Sequence, residues 1–345
     1  MIFSSDIVRS KLLLSLIIPV RQGEKYISGL FDQLKGLPID QFEVVFVDDS
    51  SIDGTQSKVG EIFGGSSINF KLLNSTGSGP GAARNSGLEV VQGEYIAFLD
   101  ADDLVDANLL LRLCSRMEHE CSDLAIFNHC RLYPDGSKRI NQRSDLLQCS
   151  SSISNEAGKL KLLDNFNVAW NKVYRRSLIE SLQVRFPVGI YEDIPWSISC
   201  LFGASKVITE PTVAYTYRQH PVSALKVVGA PHLVLPLQYE RAIDFCVRHH
   251  CTDEWRRALV GRAVQHGLLI AYKRKRMGFL HRRQIFIGLL ELVDRFDEHH
   301  TVQGTERLSG IQRMAFRIRS ATVLELQHFG GRVVRLGRRA IKGWK

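Results

Sequence analysis

The chain has 345 residues, of which 44% are hydrophobic and 23% charged, with 27 Gly and 10 Pro. That is globular composition, and it excludes a disordered or low-complexity scaffold. The net charge of +9 is unevenly divided: from Lys226 onward there are 23 Lys+Arg against 10 Asp+Glu, a net of +13, which leaves residues 1–225 at −4. A domain boundary is therefore expected near Ser223 to Pro231, between an acidic α/β region over 1–225 and a basic helical region over 226–345.

The opening residues carry no basic n-region or small-residue cleavage site, and the apolar run Leu12–Val20 is far short of the ~20 residues of a spanning helix. A cytoplasmic protein is expected. The seven cysteines form an odd set with no Cys-x-x-Cys pair, which speaks against a disulfide framework or a zinc module.

Leu12–Val20 reads as a strand buried on both faces, followed by a helical pattern through Leu34. A second such run, Phe42–Val47, ends in Asp48-Asp49-Ser50-Ser51-Ile52-Asp53-Gly54-Thr55. Strand, helix, strand is a βαβ unit, so an open, mostly parallel sheet is predicted, with its ligand site at the carboxyl ends of the strands. Phe70–Leu73 leads into Gly77-Ser-Gly-Pro-Gly-Ala-Ala-Arg84-Asn85, a glycine-rich turn that opens a helix and can present backbone N–H groups to a phosphate. Tyr95–Leu99 then delivers Asp100-Ala101-Asp102-Asp103. The order excludes a Rossmann dinucleotide fingerprint, in which glycines follow the first strand and the acid comes later. Asp100 and Asp102 are spaced to converge on one hard divalent cation, Mg²⁺ or Mn²⁺. The competing reading is that Asp102 or Asp103 merely caps the helix that begins near Asn108.

These residues resemble a known family. Ile17-Ile-Pro-Val20, Val47-Asp-Asp-Ser-Ser-Ile-Asp-Gly-Thr55, Gly81-Ala-Ala-Arg-Asn-Ser-Gly87 and Tyr95-Ile-Ala-Phe-Leu-Asp-Ala-Asp-Asp103 look like the GT-A-fold family 2 inverting glycosyltransferases of bacterial polysaccharide assembly. The resemblance continues through Ala169–Arg175, Phe186–Trp196 and Tyr215–Arg218 with Ser223, and stops near residue 225. It implies a GT-A domain, with a donor half over about 11–103 and an acceptor half over about 104–225, followed by a helical extension. It also implies a nucleotide-sugar donor, a UDP-sugar by expectation, and a glycan or lipid-linked acceptor in cell-surface polysaccharide synthesis. Carried over by residue, Pro19 and Val20 line the base pocket, Asp48 or Asp49 accepts from the base, and Arg84 approaches the base or phosphates. Asp102 is the principal metal contact, Asp100 faces the ribose or a metal-bound water, and Asp193 is the catalytic base. Arg21-Gln22 departs from the family's Tyr-Asn after Pro-Val, which bears on the identity of the nucleotide.

An inverting transfer needs a general base for the acceptor hydroxyl and positive charge for the departing diphosphate. Asp193 suits the first task and a metal at Asp102 the second, although Glu192-Asp193 is also an ordinary acidic pair for a helix N-terminus. His220 is a candidate metal or diphosphate contact, and Lys172 and Arg218 are candidate diphosphate cations. Trp170 and Trp196 suit either a sugar-stacking wall or the core. Residues 306–345 carry 10 basic against 2 acidic residues, with apolar residues at helical spacing and Trp344 near the end. This amphipathic pattern fits an anionic inner membrane leaflet as well as a helix packed on the protein, and nucleic-acid binding ranks last. A homo-oligomer is left open. The second function class is a nucleotide-sugar-binding subunit without turnover.

Overall fold

Leu14–Val20 forms β1, buried at every residue, and pairs in parallel with the equally buried β2, Phe42–Asp48, from Leu14↔Phe42 to Val20↔Asp48. Such continuous burial is what an apolar run without alternation requires. Between them α1, Glu24–Leu34, turns Ile27, Leu30 and Leu34 onto the sheet, a three-and-four spacing along one helix face. Helix α2, Thr55–Gly64, leads to β3, Phe70–Asn74, and α3, Pro80–Leu88, leads to β4, Tyr95–Phe98. These four strands lie in the order β3-β2-β1-β4, all parallel. The order reverses at β1, so polar residues following β1, β2 and β4 meet at one edge, where open α/β sheets bind ligands.

The chain continues through β5 (Leu104–Val105), α4 (Ala107–His119), β6 (Leu124–Leu132), β7 (Lys138–Ile140), α5 (Glu156–Leu162), β8 (Lys172–Arg175), α6 (Arg176–Leu182), α7 (Asp193–Gly203) and β9 (Val207–Arg218). The full sheet runs β3-β2-β1-β4-β8-β6-β9-β5, with β7 on β6. Here the architecture departs from a mostly parallel sheet. Strand β8 enters between β4 and β6 from the opposite end and is antiparallel to both; β6 and β9 are parallel, while β5 and β7 add antiparallel edges.

The structure is a computed structural model that describes residues 12–148, 152–165, 167–220, 227–273, 276–296 and 320–324. The amphipathic pattern expected over 306–345 thus lies outside the described residues except for 320–324. Contacts divide the chain into two compact units, Met1–Val188 with Trp196–Pro221, and Gly189–Pro195 with Val222–Lys345. The second unit contains α8 (Leu235–Arg248), α9 (Asp253–Tyr272) and α10 (Phe279–Phe296). Thr252 caps α9 by accepting from the Trp255 N–H. Helices α9 and α10 approach closely at Gly267, where an added Cβ would sit 2.5 Å from a Leu289 methyl. No described helix is long and apolar enough to cross a membrane.

Among the buried charged groups of the parallel half, Glu43 lies away from the polar edge. Glu43, fully buried in β2, accepts from Ser15 Oγ at 2.6 Å, from the Lys71 ammonium at 2.8 Å and from the Gln92 N–H at 2.6 Å. The carboxylate thus joins β1, β2, β3 and the turn before β4. Removing it takes the acceptor from Ser15 Oγ and the Gln92 N–H and leaves Lys71 only the Val90 carbonyl, so Glu43→Ala should cost about 3 kcal/mol, read as a lower urea midpoint at unchanged slope. An unshifted midpoint would show that the network adds nothing.

Candidate active site

The polar edge is built by strand ends. Asp48 closes β2 almost fully buried; its Oδ2 accepts from the Ser51 N–H at 3.1 Å and from Gln56 Nε2 at 2.8 Å. Its Oδ1 is buried with no hydrogen-bond partner among the described residues. Asp49 is used differently: its Oδ2 accepts from the Gly79 N–H at 3.0 Å and lies 3.5 Å from the Arg21 guanidinium. Gly79, at φ +90°, is the residue before α3, in a region where a side chain would be strained. Asp49 therefore fixes the glycine-rich turn, and Pro80 starts α3 with the fixed φ that suits a first helical position. Pro19 and Val20, at the end of β1, pair with Val47 and Asp48.

Arg84, on α3, is buried and reaches Asp100 Oδ1 at 2.8 Å, with its guanidinium also over the Phe186 ring. Asp100, Asp102 and Asp103 follow β4 in one turn, closed by the Asp103 N–H on the Asp100 carbonyl. Asp103 points inward: Oδ2 accepts from Tyr215 O–H and Oδ1 from the Arg218 N–H, both at 2.7 Å. The Asp100 N–H in turn donates to Tyr215 Oη at 3.2 Å. Asp102 meets His220, with Nε2 2.9 Å from Oδ2. Neither Asp102 nor Asp103 caps the next helix, because Asp106 does so by accepting from the Leu109 N–H. The capping explanation of the acidic cluster is thereby removed.

Crowding sets the electrostatics. Burial raises the Asp102 carboxyl above the usual range, Asp100 adds to the rise, and His220 and Arg218 oppose it. Burial, then Asp100 and Asp102, pushes Asp103 up to about 8. Carboxylates held this close resist ionising together, and a cation beside them reverses that resistance. The donors are hard oxygens with one imidazole, which fits Mg²⁺ or Mn²⁺. Among the described residues no three His, Cys, Asp or Glu side chains are arranged to hold an ion by themselves. Asp100 faces Arg84, leaving Asp102 and His220 as the adjacent pair.

Several expected residues fall elsewhere. Lys172 is buried at the start of the interior strand β8, and its ammonium donates to the Val168 carbonyl at 2.7 Å and to Asn171 Oδ1 at 2.6 Å. It is a structural cation, which corrects its expected role at a diphosphate. Trp170 stacks on Tyr215 and Trp196 on Phe186, both buried, so both belong to the core. Asp193 is the first residue of α7 and lies in the second unit with Gly189–Pro195. Sequence reasoning missed Tyr215 and the inward role of Asp103; the available signal was a third Asp that no helix cap required.

Residues 15–183 match the profile of Glycosyl transferase family 2. EpsH, named as a glycosyltransferase of Bacillus subtilis, is 30% identical over 263 residues, covering 73% of this chain and 74% of its own. The chain belongs to glycosyl transferase family 2. It is also 27% identical over 210 residues to the poly(ribitol-phosphate) beta-N-acetylglucosaminyltransferase TarS of Staphylococcus aureus, covering 59% of this chain and only 35% of that one. The crystal structure of TarS 1-349 in complex with UDP-GlcNAc superposes with a TM-score of 0.72 over 92% of both chains at 19% identity. The mannosyltransferase PcManGT of Pyrobaculum calidifontis, in complex with GDP-Man and Mn²⁺, reaches 0.51 at 16% identity, covering 92% of this chain and 86% of its own. The fold is therefore GT-A-like.

Within this family 2 chain, Tyr215 joins Asp103 to the Asp100 backbone. Tyr215→Phe keeps the stack on Trp170 and removes both hydrogen bonds, so a loss of about 1–3 kcal/mol in chemical denaturation is expected. Equal stability would show that the tyrosine acts by packing alone.

Proposed function

We propose that the protein is an inverting glycosyltransferase that moves a sugar from a nucleoside diphosphate sugar, a UDP-sugar first, to a hydroxyl of a glycan or lipid-linked acceptor in cell-surface polysaccharide synthesis. The observation that carries this reading is the Asp102–His220 pair beside the Arg84–Asp100 ion pair, at the strand edge where parallel sheets take ligands. Asp48 Oδ1, buried and without a hydrogen-bond partner among the described residues, suits an N–H of the nucleobase, with Pro19 and Val20 pairing beside the end of β2. Because Asp49 already holds Gly79 and faces Arg21, Asp48 is the better of the two acceptors. Arg84 and Arg218 contribute the positive charge that a diphosphate needs.

Asp102, assisted by His220, would hold Mn²⁺ or Mg²⁺; when bound, the ion neutralises charge on the departing nucleoside diphosphate. The binding of Mn²⁺ with GDP-Man by the structural neighbour PcManGT supports the same choice. Asp193 takes the proton of the acceptor hydroxyl as oxygen attacks the anomeric carbon from the face opposite the diphosphate, and the configuration inverts. No covalent intermediate is needed.

Two substitutions test the two tasks separately. Asp102→Asn should retain the fold and lose the Mn²⁺-dependent part of UDP affinity in calorimetry; identical titrations would remove Asp102 from the metal site. Asp193→Asn should bind UDP with Mn²⁺ as the unaltered protein does and lose at least about 100-fold in transfer, the usual contribution of a general base. Near-normal kcat would place the base elsewhere.

A further inference from the structure

The short segment Gly189–Pro195 belongs to the helical unit although the chain on both sides of it belongs to the sheet unit. Its backbone is unusual. Gly189 has φ +102° and Tyr191 has φ +65°, a left-handed conformation that a bulky side chain adopts only where its surroundings over-determine it.

The surroundings are specific. Tyr191 is buried, and its hydroxyl lies 2.8 Å from Nδ1 of His232, a residue with no exposed surface. His232 Nε2 lies 2.7 Å from the Val227 carbonyl, which can only accept, so Nε2 carries the proton and Nδ1 accepts from Tyr191. Burial holds His232 below its ordinary range, consistent with a neutral ring. Gln238, fully buried on α8, donates from Nε2 to the Ile190 carbonyl at 3.1 Å, and its Oε1 accepts from Arg241. The Tyr191 ring meets His266 edge-on at 5.4 Å, and His266 faces the Tyr239 hydroxyl from Nδ1 at 3.2 Å.

We infer that Tyr191, His232 and Gln238 are positioning residues that fix the turn presenting Asp193, so that the helical unit sets the orientation of the general base. This rests on the reading of Asp193 as that base. Two consecutive residues before Glu192 are tied by side chains from the helical unit, Ile190 by its carbonyl and Tyr191 by its hydroxyl. Asp193 is then the first residue of α7, two positions beyond the last tie. Small rotations in a left-handed turn are carried into the side chain that follows, and general-base catalysis is sensitive to such displacement.

The test uses the full chain and Tyr191→Phe, which retains the ring and its contact with His266. Hydrogen exchange followed by mass spectrometry should show peptides covering 190–195 exchanging about fivefold faster, the effect of one lost hydrogen bond, with peptides over 78–88 and 98–105 unchanged. In single-turnover donor hydrolysis, with water as the acceptor and the fastest donor of a panel of UDP-, GDP- and dTDP-sugars that includes UDP-GlcNAc, the rate constant should fall about tenfold with affinity for the nucleotide unchanged. In an Asp193→Asn background the same change should cause no further loss, because its effect passes through Asp193. Unchanged exchange over 190–195, or exchange that rises everywhere, would overturn the inference. So would losses that multiply in the double variant, or a Tyr191→Phe enzyme with an undiminished single-turnover rate beside an inactive Asp193→Asn. Retained activity in Asp193→Asn alone would instead overturn the assignment of the base.

Discussion

The acidic turn after β4 depends on one carboxylate being turned away from the other two. Three aspartates within four residues repel one another, and a flexible turn would spread them into solvent. Asp103 prevents this by accepting from Tyr215 O–H and the Arg218 N–H, ties that link the end of β4 to the end of β9. Asp100 and Asp102 are then left on the other side, one against Arg84 and the other against His220. Tyr215 can serve as the link because Trp170 stacks on its ring at 4.3 Å and limits its rotation. The geometry open to chemistry is thus set by a residue that is itself withdrawn from it.

The same division recurs at β2. Of the adjacent carboxylates, Asp49 holds the Gly79 N–H and so fixes the turn into α3, while Asp48 keeps a buried oxygen without a partner among the described residues. Burying an acceptor in this way costs free energy unless a donor arrives, so the site is better satisfied with a ligand than without one. In both clusters the sequence places acids side by side, and tertiary contacts decide which is structural.

Legibility followed sequence distance. The βαβ rhythm, the glycine-rich turn and the strand-end acids could be read because each is a local pattern whose neighbours lie within a few residues. Lys172 could not be placed, because its burial follows from β8 lying between β4 and β6, a pairing with strands far away in the chain. The antiparallel half of the sheet was missed for the same reason. Asp106 was overlooked as a cap because four aspartates compete within seven residues, and only the helix start at Ala107 selects it. Asp103 and Tyr215 are separated by 112 positions, so no window on the sequence joins them.

The basic helical unit was read from its charge, yet charge does not account for its interior. Tyr191, His232, Gln238, Tyr239 and His266 make contacts that a merely solvated helical appendage would not need. Buried polar groups of this kind are costly unless each is satisfied, and once satisfied they specify one arrangement rather than many. A left-handed tyrosine is a second cost that only a well-determined environment sustains. The second cost falls on the segment leading into α7, and His232 and Gln238 are the groups that tie that segment. Satisfied ties of this kind hold the turn in one arrangement, which is what a left-handed tyrosine requires.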